Sequence, residues 1–268
     1  MRVAFLDSGV GALSILQAVL QQFPALEATV LADDAFYPYG TKNSEDLIER
    51  LVFLSKKLVA NLNPSALIIA CNTASTVVLP ALRANLSIPV IGVVPAIKPA
   101  AAISITKTIG LLATKATVNR PYMDNLIAEH APHCHVIRVG CSELVDLAEA
   151  KLQGHSINPA SLQPLLTSFF PEGMPATDVI VLGCTHFPLL STELAIALQG
   201  KNYPAGVTLL DSGSAIARRL GEVLNLTFNQ AAAPAHPFDF MFTEGKKLNL
   251  YTPALVKMGC RSVSVFTP

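Results

Sequence analysis

Neither sign of charge prevails in this chain of 268 residues: 19 Lys and Arg stand against 19 Asp and Glu, so no global field draws it toward nucleic acid or an anionic membrane. A small-molecule partner is the expectation that remains. No apolar run of about 18 residues or more is free of polar breaks, so no membrane-spanning helix is expected. The opening MRVAFLDSG lacks the charged start, apolar core and small-residue cleavage site of a signal peptide, and a cytoplasmic location is expected. Cysteine is sparse and odd in number, five residues widely spread, so free thiols are expected rather than a disulfide framework. A lysine-bearing P-loop is missing. The stretch EHAPHCH (129–135) gathers histidines and a cysteine at a spacing that fits no zinc pattern, so no metal site is expected and it reads as a loop leading into a strand. What is abundant is apolar surface, 51% of residues, enough to bury two medium domains or one large α/β unit.

That surface comes in short β-rich runs alternating with helical ones. RVAFL, ATVLA, SALIIA and PVIGVV are separated by helix-length segments, the βαβ rhythm of a parallel sheet covered on both faces. The clearest helix spans 44–63, with Ser44 as its predicted N-cap, Leu47, Leu51, Leu54, Leu58 and Leu62 on one stripe, and Pro64 just beyond its end. A second series follows: TIGLLA, HVIRV, DVIVLG and VTLLD, with a predicted helix over 117–130. PAIKPA (95–100) reads as a hinge between the two halves, and FDFMF and SVSVF as added strands around a helix.

Self-comparison narrows the chemistry. IIACNTAST (68–76) and IVLGCTHFP (180–188) share a shape: apolar strand, small residue, cysteine, then a hydroxyl. A weaker echo pairs FLDSGVGALSIL (5–16) with LLDSGSAIARRL (209–220). In open α/β sheets ligands bind beyond the carboxyl ends of strands, where Cys71 and Cys184 are both expected. A lone cysteine after a buried strand is most often a small core hydrophobe, and Cys134, Cys141 and Cys260 are read that way. Cys71 and Cys184 differ in being followed at once by Asn72 and Thr73, and by Thr185 and His186. Two thiols on opposite faces of one carbon can invert it, one abstracting a proton and the other returning one. A free thiol of pKa about 8.5 can serve in either state near neutrality. Asp7 and His186 are candidate assistants, and Asn72, Thr73 and Thr185 candidate donors to the developing charge. DSGVGALS also resembles part of a dinucleotide fingerprint, but Ser14 stands where the third glycine would be. A non-catalytic dinucleotide-binding module is therefore the reading from a different class, testable by NAD binding.

The ordered set LDSGVGALS, DDAFYPYG, IIACNTAST, GVVPAIKPA, LLATKATV, VLGCTHFPLL and LLDSG resembles the glutamate racemases, within the aspartate/glutamate racemase superfamily, over nearly the whole chain. The resemblance implies two pseudo-symmetric α/β domains with mainly parallel sheets covered by helices and an active site in the cleft between them. The boundaries it implies are 1–96 plus 207–268, and 97–206. It implies a cofactor-independent enzyme interconverting L- and D-glutamate, and leaves room for a homodimer. Cys71 resembles the base for D-glutamate and Cys184 the base for L-glutamate, with Asp7 and His186 as their helpers. Asp7, Ser8, Asn72, Thr73, Thr185 and His186 resemble contacts to the amino-acid end. Tyr39 and Gly40 resemble the site for the side-chain carboxylate, through backbone N–H groups. Thr114, Thr117, Asp33 and Glu149 are lesser candidates. A racemase for aspartate or another amino acid is the alternative among enzymes, since PYG argues for a carboxylate side chain without measuring its reach. Pyridoxal phosphate is unnecessary where a thiol pair is present. Two departures stand out: Ala12 replaces a usual glycine, and Pro80 falls where an unbroken helix would follow Cys71 and is expected to end or kink it. No long extension precedes the first strand, so regulation through one is not expected.

Overall fold

The computed structural model describes residues 1–199, 203, 206–227 and 237–267. Its chain divides into two compact units, Met1–Val94 with Leu152–Gly154 and Gly213–Pro268, and Pro95–Lys151 with His155–Ser212.

The first unit opens with β1 (Arg2–Asp7), α1 (Ala12–Gln22), β2 (Glu27–Ala32), α2 (Ser44–Leu62), β3 (Ala66–Ile69), α3 (Asn72–Asn85) and β4 (Val90–Gly92). Each apolar run predicted as a strand is one, and β3 is buried along its full length, as a strand covered on both faces must be. In α2 the leucines at 47, 51, 54 and 58 are fully buried, each removing about 1.5–3 kcal/mol worth of side chain from water. The cap of α2 differs from the expectation. Asn43, not Ser44, is the N-cap, because its extended backbone lets Oδ1 accept the Asp46 N–H at 2.8 Å. Asn63 ends the helix in the left-handed region, φ 45°. Pro80 does not end the helix: α3 runs from Asn72 to Asn85 with the proline inside it. Pro80 itself is exposed, and Thr76, whose carbonyl it cannot bond, is half-buried.

The second unit carries α4 (Ile97–Ile103), β5 (Thr108–Ala113), α5 (Lys115–Val118), α6 (Pro121–His130), β6 (His135–Gly140), α7 (Glu143–Leu152), α8 (Gln163–Thr167), β7 (Val179–Leu182), α9 (Ser191–Ala197) and β8 (Thr208–Leu210). PAIKPA thus leads into a short helix, and the helix expected over 117–130 is two, because Pro121 opens a new one at its N-terminus. The chain then returns to the first unit through α10 (Gly213–Leu224), β9 (Phe238–Phe242), α11 (Leu248–Lys257) and β10 (Cys260–Val265). Helix α10 lies against α1, and Gly221 permits the approach: a Cβ there would sit 2.7 Å from the Phe23 ring.

Among the described residues all pairings are parallel, in the orders β10-β9-β2-β1-β3-β4 and β6-β5-β7-β8. The second order repeats the β2-β1-β3-β4 portion of the first. Under that correspondence β3 matches β7, so Cys71 and Cys184 close equivalent strands. The weaker echo is not part of this repeat. LLDSG ends β8, whose counterpart is β4, whereas FLDSG ends β1. The seams also differ from the boundaries implied by the resemblance: residues 95–96 and 207–212 belong to the second unit, the latter because β8 pairs with β7, and 152–154 belong to the first.

Candidate active site

At the carboxyl edge of the first sheet, register brings the candidates together. Leu6 pairs with Leu31 and with Ile69, so Asp7, Asp33 and Cys71 follow at one edge. Asp7 is fully buried, and its Oδ1 accepts the Ser8 N–H at 2.7 Å. The Asp33 N–H donates to the Asp7 carbonyl at 2.8 Å, and the Ala70 N–H to that of Leu6 at 2.8 Å, which aligns the three strand ends. Cys71 occupies the N-cap position of α3, with Asn72 and Thr73 buried in its first turn. The Asn72 Oδ1 is buried with no hydrogen-bond partner. Such an orphan acceptor costs about 1–3 kcal/mol and is suited to an incoming ammonium.

Tyr39 starts a short 3-10 turn, Tyr39–Thr41, after a cis Tyr37–Pro38 peptide, and Gly40 is half-buried beside it. The Tyr39 ring is buried and its hydroxyl donates to Asp33 Oδ2 at 3.2 Å. Burial pushes its pKa well up, and the neighbouring charges of Asp33, Asp7 and Cys71 push the same way, so it remains a phenol. Asp33 is fully buried yet saturated: Arg50 Nε at 3.0 Å and Nη2 at 2.6 Å, Thr243 Oγ1 at 2.9 Å and Tyr39 all donate to it. Sequence reasoning missed Arg50 and Thr243. Arg50 fits no motif, and Thr243 lies 210 positions from Asp33, so no local pattern joins them.

At the carboxyl edge of the second sheet, Thr114 follows β5 and caps α5. Its Oγ1 lies 2.9 Å from Thr117 Oγ1, and Thr117 is fully buried. Gly183 follows β7 and bonds Leu112 at 2.7 Å, in a place where a Cβ would come 2.9 Å from Leu111 and 3.0 Å from Ala113. Cys184, Thr185 and His186 come next, all buried. His186 Nε2 meets Glu149 Oε1 of α7 at 2.8 Å, while its Nδ1 lies 4.0 Å from Cys184 Sγ, long for a hydrogen bond. Burial alone would lower the His186 pKa. Its contacts with Cys184 and Glu149 override this and raise the pKa well above 6.5. An imidazole held in place by a carboxylate is suited to relaying a proton. Glu149, a lesser candidate from sequence, is thus in direct contact with His186.

Two lysines and three further cysteines carry reactive side chains as well. Lys115 pairs with Glu143 at 3.0 Å in the open, and Lys98 lines a surface cavity of about 310 Å³ with Lys107, His130, His133 and Cys134. Cys260 is buried, while Cys134 and Cys141 are half-buried. Among the described residues no group of three His, Cys, Asp or Glu side chains is placed to hold a metal, and no helix is long and apolar enough to cross a membrane.

Residues 9–220 match the family model described as Asp/Glu/Hydantoin racemase. The glutamate racemase of Shewanella baltica is 50% identical over 218 residues, 81% of this chain and 77% of that protein. That of Photorhabdus laumondii is 43% identical over 254 residues, 95% of this chain and 85% of that one. Among solved structures, Escherichia coli glutamate racemase in complex with L-glutamate and the activator UDP-MurNAc-Ala superposes with a TM-score of 0.89 at 38% identity, covering 99% of this chain and 98% of that one.

Proposed function

The chain belongs to the Asp/Glu/Hydantoin racemase family, and from that premise we propose that it interconverts L- and D-glutamate without a cofactor, supplying D-glutamate for peptidoglycan. The relatives named glutamate racemase support the substrate. The observation that carries the mechanism is the equivalence of Cys71 and Cys184, each with one residue between it and the end of the corresponding strand of a repeated sheet order.

In the D-to-L direction the Cys71 thiolate takes the Cα proton, leaving the electron pair on Cα delocalised into the α-carboxylate. The Cys184 thiol then delivers its proton to the opposite face and ends as the thiolate. The reverse direction exchanges the two roles, so each turnover leaves the thiol pair in the state needed for the opposite enantiomer. Asp7 assists Cys71, and His186, held by Glu149, assists Cys184. Asn72 Oδ1 accepts from the α-ammonium. Ser8, Thr73 and Thr185 serve the amino-acid end, and the backbone N–H groups of Tyr39 and Gly40 the side-chain carboxylate, with Thr114 and Thr117 as lesser substrate contacts.

The test is incubation of each enantiomer in D₂O with wild type, Cys71→Ala and Cys184→Ala. Wild type should place deuterium at Cα of the product. Each variant should lose about 10²–10⁴-fold or more of the racemisation rate. Normal racemisation by both variants would overturn the mechanism, and inactivity of wild type toward glutamate would overturn the substrate.

A further inference from the structure

We propose that Arg50 and Thr243 are positioning residues for the Tyr39–Gly40 turn: by saturating the buried Asp33 carboxylate they fix the anchor of that turn, and so set the grip on the substrate's side-chain carboxylate. The inference rests on the reading of Tyr39 and Gly40 given above and extends it to two residues outside the motifs.

The Tyr39 backbone can present N–H groups in one place only if its side chain is held, and the hydroxyl has Asp33 Oδ2 as its partner at 3.2 Å. Asp33 can hold that hydroxyl only if its own orientation is fixed. Arg50 does this with a two-pronged contact, Nη2 to Oδ1 at 2.6 Å and Nε to Oδ2 at 3.0 Å, a geometry only a guanidinium provides. The Thr243 hydroxyl lies 2.9 Å from Asp33 Oδ1, with Asp34 Oδ1 the more distant acceptor at 3.2 Å, and its oxygen accepts the Ala35 N–H at 3.1 Å. Next to it, Asp34 accepts the N–H groups of Glu244 at 2.8 Å and Gly245 at 2.9 Å. The 33–41 segment is therefore tied to α2 on one side and to the segment after β9 on the other. The Arg50 guanidinium also lies 5.9 Å from the centre of the Phe36 ring, inside the same segment.

A contact serving only the fold would affect stability and leave substrate affinity alone. A contact that places the carboxylate-binding amides acts equally on ground and transition states, and shows as a change in KM with kcat held. Steady-state kinetics on L- and D-glutamate should be measured for wild type, Arg50→Gln, Arg50→Lys, Thr243→Val and Thr243→Ser. Arg50→Gln should raise KM about tenfold or more with kcat within about twofold, and Arg50→Lys, which keeps the charge but loses the fork, should fall between it and wild type. Thr243→Val should raise KM about threefold and Thr243→Ser should restore it, since only the hydroxyl is required. Thr243→Val deletes one hydroxyl from a half-buried side chain, so it decides the matter if Arg50→Gln does not fold. Unchanged KM in Thr243→Val, or a fall in kcat at constant KM, overturns the proposal while the racemase reading stands. A wild type that does not racemise glutamate overturns that reading first, and this inference with it.

Discussion

The two cysteines close equivalent strands, yet their surroundings are built differently. Cys71 is followed at once by the long helix α3 and shares its sheet edge with a carboxylate, Asp7, fully buried at the end of β1. Cys184 is followed by a short 3-10 turn, Phe187–Leu190, and its neighbour two positions on is an imidazole held from a separate helix by Glu149. A strand end thus specifies where a thiol goes, but not how its proton is managed. One strand end stands beside a buried carboxylate, the other beside an imidazole that a second carboxylate holds.

That asymmetry can be broken one side at a time. The two enantiomers of glutamate have equal free energy, so any variant must lose kcat/KM equally in both directions, and the separation has to be read from isotope effects. His186→Asn should cost about 10²-fold or more in kcat/KM and make proton transfer at Cys184 limiting. The primary isotope effect should then be large for L-glutamate deuterated at Cα and small for the D-enantiomer. Asp7→Asn should give the mirror pattern. Equal isotope effects in both variants would show that the assistants are not assigned one to each thiol.

A pH series sharpens the same contrast. The His186 pKa in the folded chain is raised above its unfolded value of about 6.5. Its partners therefore contribute stability that is fully present below that value and lost as pH rises through the folded pKa. Wild type should unfold at a higher temperature than Glu149→Gln near neutrality, and the gap should narrow steadily on the alkaline side. A gap that widened with pH would reverse the assignment of the charged imidazole. The smallest effect concerns α3. Pro80→Ala restores a helical N–H and should stabilise by about 2 kcal/mol, which is about 4–8 °C in Tm for a chain of this size. The isotope-effect pattern should not move, because the exposed middle of α3 is remote in sequence from the Cys71 turn.

Much of this was legible in the sequence because its signals are local. Strands announced themselves as apolar runs, α2 as a leucine stripe, and the two thiols by matching contexts. What escaped was set by contacts between distant residues or by choices between near-equivalent neighbours. Asn43 outcompeted Ser44 for a cap one residue away, and LLDSG mimicked LDSG while closing a strand of a different rank in the sheet. Arg50 and Thr243 carry no motif, and only the folded chain brings them to Asp33. Pro80 shows the opposite case: a local rule that would end a helix yielded on the exposed side of α3.

The outer strands of the first sheet have a bearing on how the chain is made. Because β9, the neighbour of β2, lies after the whole second unit, a nascent chain leaves the ribosome with the apolar β2 edge unpaired until residues 238–242 emerge. During that interval the open edge is a template for pairing with other chains. Premature termination before β9 therefore yields a product prone to aggregate, rather than a shorter working enzyme.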